Sequence, residues 1–190
     1  MEREIFLTGV GGQGVQLAAK VLALAATREG RHVMSLGIYG GTMRGGNTDS
    51  TLVVAEDTIS SPPIVSRAWS AIVVHPRYFE PLRAKLRSDA IVVFDTALAS
   101  EGLETGEVRA FGVDAGALAR QVDADRAGSL VLLGAYSGLT GIVALDSLEQ
   151  AMEEALPPYR RQHLAANCRA LGAGFEALPH AQVPAWEVAA

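Results

Sequence analysis

Apolar residues change their spacing several times along the chain, and each change marks an element. Residues 4–10, EIFLTGV, form a short apolar run ended by glycine, the pattern of a buried strand. Val15, Ala18, Ala19, Leu22, Ala25 and Ala26 then recur at helical spacing, and Gly30 is placed to stop that helix. RHVMSLGIY (31–39) reads as a second strand. Strand, glycine turn, helix, strand is a βαβ opening, which predicts parallel strands joined by a right-handed crossover. STLVVAEDTI (50–59) predicts a strand and turn, and SSPPIV a break. Residues 68–76 and 89–96 are mostly Ala, Ile, Val and Phe without alternation, as in strands covered on both faces. A short helix, YFEPLRAKLR, lies between them, and EVRAFGV is a last short strand. From Asp114 onward the spacing is helical, in AGALARQV, SLVLLGAYSGLTGIV, SLEQAMEEAL and RRQHLAANCRALGAGFEAL. No internal repeat or dividing linker interrupts the pattern. It predicts one α/β domain over residues 1–178, with a Rossmann-like, open, mostly parallel sheet and helices on both faces. An extended tail with two prolines, residues 179–190, follows.

Composition narrows the class. The 190 residues are 49% hydrophobic and 19% charged, enough apolar material for a packed core. A net charge of −5 gives no basic face for nucleic acid or an anionic membrane surface. The clustered bases Arg83, Lys85, Arg87 and Arg160, Arg161 read as solvated helix faces. A single cysteine, Cys168, excludes an internal disulfide and an iron–sulfur cluster held by this chain alone. Its helical setting reads as that of a small buried hydrophobe. One thiol suits a reducing cytoplasm. The N-terminal residues lack a signal-peptide layout, and no apolar stretch approaches the ~20 residues of a membrane span.

Two glycine-rich loops carry the candidate chemistry. In GVGGQGVQLAAK, Gly9, Gly11 and Gly14 satisfy G-x-G-x-x-G between a predicted strand and a predicted helix. Glycine lets backbone amides approach an anion, and a helix N-terminus adds about half a positive charge there. The dinucleotide fingerprint also asks for an acid at the end of the second strand, where this chain has Gly37, Ile38 and Tyr39. Close helix–sheet packing is the plainer use of the glycines, but Gly12 and Gln13 add features that packing does not need. The second loop, YGGTMRGG, follows the second predicted strand. It sets Arg44 among glycines where ligands of open α/β sheets bind, and an arginine there suits a planar anion.

Together, GVGGQGVQLAAKVLALAA, YGGTMRGG, TISSPPI and LLGAYSGLTGIVALDSLEQAMEEAL resemble, in order, the gamma subunit of 2-oxoacid:ferredoxin oxidoreductases. The YG…MRGG form is most similar to the 2-oxoglutarate type. The chain departs from the family pattern at Gly128–Ser129, where an Asn is common, and at LVVAED, where VR is common. The resemblance implies a complex that oxidatively decarboxylates a 2-oxoacid to an acyl-CoA and passes electrons to ferredoxin. Thiamine diphosphate, magnesium and the iron–sulfur clusters are then held by thiamine-binding alpha and beta type subunits and a ferredoxin-type subunit. This chain, noncatalytic alone, would pack on the catalytic core and help bind coenzyme A. Expected at that ligand or at the cleft are Gly9, Gly11, Gly12, Gln13, Gly14, Tyr39, Arg44, Gly45 and Gly46. A partner subunit's backbone is the other occupant these glycines could admit. A stand-alone NAD(P)-binding oxidoreductase and a purely structural assembly subunit are the competing classes.

Other residues have local readings. His75 ends a strand and suits a structural hydrogen bond at a helix start. Asp95 and Thr96 suit capping of the next segment. Trp69 and Trp186 suit either an interface or the core. His32, His163 and His180 lack partners at metal-ligand spacing.

Overall fold

The computed structural model describes residues 1–40, 45–59, 63–97 and 107–187. Six strands form one sheet: β1 (Glu2–Val10), β2 (His32–Tyr39), β3 (Asn47–Ala55), β4 (Ala68–Val73), β5 (Leu86–Asp95) and β6 (Arg109–Val113). Their spatial order is β2-β3-β1-β4-β5-β6. The helices are α1 (Val15–Arg28), α2 (Glu80–Arg83), α3 (Ala115–Gln121), α4 (Gly128–Thr140), α5 (Leu145–Ala155) and α6 (Leu164–Phe175).

β1 pairs in parallel with β4, β4 with β5, and β5 with β6, whereas β3 runs antiparallel to both β1 and β2. Five of the six strands therefore point one way, and the sheet is mostly parallel as predicted. The βαβ opening differs in one respect. β1 and β2 share a direction but are not neighbours, because β3 lies between them. The link from β2 to β3 is residues 40–46, too short for the dozen or more residues of a parallel crossover, so the chain turns straight back.

Burial alternates across the sheet. Ile5, Leu7, Leu52, Ile72, Ile91 and Val93 pack with α1 and the C-terminal helices in one large core. On the other face, Phe6, Ala71, Val73 and Val92 pack with Phe79 and Leu82 from the short helical segment around α2. Helices thus lie on both faces, but very unequally. The ten-residue helix expected at 78–87 is instead a 3-10 turn (Pro76–Tyr78) and four-residue α2, because β5 already begins at Leu86.

α4 sits at the centre and is buried from Ser129 to Thr140. Glycine brings it against α6. A Cβ on Gly174 would overlap the Val131 carbonyl, and one on Gly134 the Leu171 carbonyl. The segment after α6 lies along the end of α4. Ala181, Val183 and Ala185 donate backbone bonds to Gly138, Leu139 and Thr140, satisfying carbonyls that a helix end leaves unpaired. Trp186 donates to the Ile142 carbonyl at 3.0 Å, and the Arg31 guanidinium lies 4.0 Å from its ring centre. Among the described residues, no helix is long and apolar enough to cross a membrane.

Candidate functional site

The parallel strands end at one edge of the sheet, and both glycine-rich loops emerge there. After β1 the chain turns through Gly12 (φ 102°) and Gly14 (φ 84°), a backbone hand that favours glycine. Gln13 closes this turn from within. Its amide donates to the Val10 carbonyl at 3.1 Å, and its Oε1 accepts the Val10 amide at 2.8 Å. Gly9 serves packing: a Cβ there would lie 2.8 Å from Val15 Cγ2 and 3.2 Å from Val74 Cβ. Beside Gly12 no atom lies within 4 Å of a Cβ position.

Gly14 is also the cap of α1. Having no side chain, it offers the first-turn amides no oxygen, and that turn carries no acidic residue. The first helical bond is Ala18 to Gly14 at 3.0 Å, so the amides of Val15, Gln16 and Leu17 have no helix carbonyl to reach. α4 begins opposite. Its cap, Ala127, likewise provides no side-chain oxygen, and its first turn has no acid. The two starts touch: a Cβ on Gly14 would lie 2.7 Å from Ser129 Oγ. Two helix N-termini, each with a partial positive charge, therefore converge.

Between them opens a cleft of about 1060 Å³. Gly11, Gly12 and Gly14, residues 123–127 with Ser129, and Arg160, His163 and Asn167 line it. Arg126 and Arg160 are exposed at its mouth, alongside Asp123 and Asp125. The turn before α4 is held by Arg169 Nε, which donates to the Val122 carbonyl at 2.8 Å. Convergent amides, two helix dipoles and two guanidinium groups suit a phosphorylated ligand.

The second loop meets the first through the backbone. Gly11 donates to the Gly46 carbonyl at 2.8 Å, and Gly45 donates to the Gly11 carbonyl at 3.3 Å. Tyr78 donates its hydroxyl to the Gly45 carbonyl at 3.4 Å. Gly9, Gly11, Gly12, Gln13, Gly14, Gly45 and Gly46 are thus brought together at one sheet edge. Tyr39 closes β2, paired with Thr48. Arg44 lies outside the described residues.

Several side chains at the cleft and at the base of the second loop were not among the site candidates read from the sequence. Arg126, Arg160 and His163 line the cleft, although Arg160 reads from the sequence as a solvated helix face. Asp49 is buried at the base of the second loop, where Thr8 Oγ1 and Asn47 Nδ2 each donate to its carboxylate at 2.7 Å. Gln16 Nε2 donates to the Asp49 carbonyl at 2.7 Å, tying the first turn of α1 to β3. No periodicity marks these residues: Asp49 meets Thr8 and Gln16 only through the β3 insertion, and Arg126, Arg160 and His163 reach the cleft only through the folding of the C-terminal helices. That insertion also separates β2 from β1, so the end of β2 is not placed beside the first loop as the dinucleotide fingerprint requires.

The remaining candidates have structural settings. His75 Nδ1 accepts the Arg77 amide at 3.2 Å at the start of the 3-10 turn. Asp95 accepts the Ala97 amide at 3.1 Å, and burial pushes its carboxyl up from the ordinary aspartate range. Trp69 is in the core, edge-on to Tyr136. Among the described residues, no group of His, Cys, Asp and Glu is arranged to hold a metal ion.

Comparison with known proteins identifies the family of the chain. The chain is 32% identical over 178 residues to the ketoisovalerate oxidoreductase subunit VorA of Methanothermobacter thermautotrophicus, covering 92% of this chain but only 36% of that one. Among solved structures it is similar to the gamma subunit of a keto/oxoacid ferredoxin oxidoreductase from Geobacter sulfurreducens. The TM-score is 0.79 at 24% identity, over 93% of this chain and 96% of that one. The 2-oxoglutarate:ferredoxin oxidoreductase of Magnetococcus marinus, solved with 2-oxoglutarate, coenzyme A and succinyl-CoA, gives a TM-score of 0.83 at 20% identity. It covers 99% of this chain and 33% of that one, so the chain spans about a third of the longer proteins it matches. The model of the pyruvate ferredoxin/flavodoxin oxidoreductase family matches residues 4–177, from β1 through the end of α6. That match takes in both glycine loops and all six α-helices, and the chain belongs to this family, in its gamma-subunit form.

Proposed function

We propose that the chain is the gamma subunit of a thiamine diphosphate-dependent complex that oxidatively decarboxylates a 2-oxoacid, 2-oxoglutarate in the first place, to its acyl-CoA. Its cleft holds the phosphates of coenzyme A. The observation that carries this reading is the convergence of the uncapped N-termini of α1 and α4 on one cleft, with Arg126 and Arg160 at its mouth. Coenzyme A is a polyanion with a long flexible arm, so a site fixing its phosphates leaves the thiol free to reach an acyl group elsewhere. The like-folded Magnetococcus enzyme, solved with coenzyme A and succinyl-CoA, supports the assignment.

The division of labour is the one that the family resemblance implies, with the clusters in a ferredoxin-type partner. The single cysteine of this chain, short of the four thiolates of a typical cluster, agrees with it. Thiamine diphosphate and magnesium belong to the thiamine-binding alpha and beta type subunits. In this chain, backbone amides bind and orient the anion, and the glycines keep side chains out of its way. Arg44, on the second loop, is assigned an anion contact as well, to a coenzyme A phosphate or to the substrate carboxylate.

Purification of the tagged chain from its own source tests the reading. Identified thiamine-binding subunits should co-purify. The complex should reduce a viologen dye only with both a 2-oxoacid and coenzyme A present, fastest with 2-oxoglutarate. The isolated chain should show no turnover. Acceptor reduction by the isolated chain, or turnover of the complex that ignores coenzyme A, would overturn it.

A further inference from the structure

The cleft offers an anion two unlike sets of donors. One set is fixed to the backbone of two helix starts. The first turns of α1 and α4 lack side-chain caps, and Ser129, in the first turn of α4, lines the cleft although it is only 3% exposed. Its hydroxyl makes no hydrogen bond among the described residues, so a buried donor is left open to a ligand. The other set consists of side chains. Arg160 and His163 stand three apart on the 3-10 segment Pro158–His163, where such positions eclipse, and Asn167 follows four residues on, along α6. All three line the cleft, with Arg160 and His163 exposed and Asn167 half-buried. Among the described residues neither Arg160 nor His163 is in an ion pair, although Asp123 and Asp125 line the same cleft. Arg28, Arg31, Arg83 and Arg87, by contrast, each hold a glutamate. The Asn167 amide donates to the Met152 sulfur, a weak acceptor, at 3.6 Å.

We propose that Arg160, His163 and Asn167 form a subsite for the 3′-phosphate of coenzyme A, so that this chain tells coenzyme A from its dephosphorylated form. This rests on the function proposed above. Two unlike donor sets suit a ligand with two unlike phosphate groups. The pyrophosphate of coenzyme A is esterified at both ends and carries its charge singly on each phosphorus. Fixed amides at helix N-termini are the usual holders of such a group. The 3′-phosphate is a terminal monoester, and such groups carry about −1.5 to −2 charge at pH 7. A terminal dianion takes charge-assisted bonds from cationic side chains, which Arg160 supplies as a planar fork. His163 and Asn167 add N–H donors on the same helical face. One ribose bears both phosphate groups, so the two donor sets have to border one cleft, as they do. Arg126 belongs with the first set, since it directly precedes Ala127, the cap of α4.

The test compares coenzyme A with dephospho-coenzyme A as acyl acceptor for the purified complex, carrying the tagged chain as wild type or variant. The wild type should prefer coenzyme A by about tenfold or more in kcat/KM, the worth of one charge-assisted bond. Arg160→Ala/His163→Ala should abolish most of that preference, by raising the KM for coenzyme A toward that for the dephospho form. Arg160→Lys, which keeps the charge, should retain part of it. Arg126→Ala should raise both KM values alike and leave the preference as it was. The ratio is measured on one preparation, so it does not depend on how much of a variant is folded. Equal use of the two acceptors by the wild type overturns the proposal, as does a preference that survives the double variant. So does a double variant that loses both acceptors alike, which would put the pyrophosphate at these side chains. If turnover ignores coenzyme A altogether, the functional reading itself fails and the subsite falls with it.

Discussion

The Gly11 amide donates a 2.8 Å hydrogen bond to the Gly46 carbonyl, and the return bond from Gly45 to Gly11 makes the two glycine loops one unit. Thirty-five positions separate Gly11 from Gly46 in the chain. The contact between Gly11 and residues 45–46 is thus made by backbone groups, with no side chain needed.

Within that unit the glycines differ in what they do, and substitution should separate them. Gly14→Ala places a methyl group in the left-handed region, at about 1–2 kcal/mol, and also against Ser129 Oγ. Gly12→Ala incurs the backbone strain alone, since its Cβ position is open. Denaturant unfolding should rank Gly14→Ala as the more damaging, and Ser129→Ala should recover part of its loss. Equal losses with no recovery would show that Ser129 takes no part.

Between α4 and α6, packing is decided by single hydrogen atoms. Gly174→Ala drives a methyl into the Val131 carbonyl, which cannot move without its helix, so a loss of at least about 3 kcal/mol is expected. At this size that corresponds to roughly 6–12 °C in Tm. Gly172→Ala, on the same helix with no atom within 4 Å, should instead stabilise by about 0.5–1 kcal/mol. A thermal melt of the two variants, with opposite signs, is the check.

Ser70 Oγ and Tyr136 Oη lie 2.9 Å apart, both side chains fully buried. Burial pushes the Tyr136 hydroxyl far above the ordinary tyrosine value, so it stays protonated and hydrogen-bonded. Tyr136→Phe strands the serine hydroxyl, at about 1–3 kcal/mol. Adding Ser70→Ala should restore much of that. An additive double variant would mean that the two hydroxyls are not coupled.

Cys168 offers a pH test. Burial, then the charges of Glu149 and Glu153, push its thiol up from the ordinary 9.0. A raised value means less thiolate at any given pH, so alkylation at pH 7.5 should be slower than for free cysteine and should climb steeply only in alkaline solution. Glu149→Gln/Glu153→Gln lowers the value again and should speed the reaction. A rate at pH 7.5 equal to that of free cysteine would contradict the assignment.

How much of this was legible in sequence depends on the range of the interactions. Helical spacing in residues 15–26 and the unbroken apolar runs of β4 and β5 are local, and they located α1 and the sheet interior. The glycines bounding α1 marked the sheet edge where the two loops meet for the same reason. Strand order was not legible, because the insertion of β3 depends on a seven-residue link and on long-range pairing that no local period encodes. The cleft was half legible. Its glycine wall is a motif, but Arg126 and Arg160 join it from elements more than a hundred residues away, and only the folded core brings them near.

Those two arginines give the sharpest test of the ligand. Both are exposed at the cleft mouth, so solvent screens them and the low end of the range for charge-assisted hydrogen bonds applies, about 1.5 kcal/mol each. Arg126→Ala and Arg160→Ala should then each raise the apparent KM for coenzyme A about tenfold in the assembled complex and leave that for the 2-oxoacid unchanged. Arg161→Ala is the internal control, because Arg161 neighbours Arg160 in sequence but does not line the cleft. Raising the salt concentration should weaken coenzyme A binding in the wild type more than in either variant, since the charges that salt screens are partly gone. Arg44→Ala distinguishes the second loop's ligand. A rise confined to coenzyme A joins that loop to the phosphate site, whereas a rise confined to the 2-oxoacid assigns Arg44 to the substrate carboxylate. Wild-type constants in both cleft variants would mean that the phosphates lie elsewhere, and that the paired helix N-termini serve the fold alone.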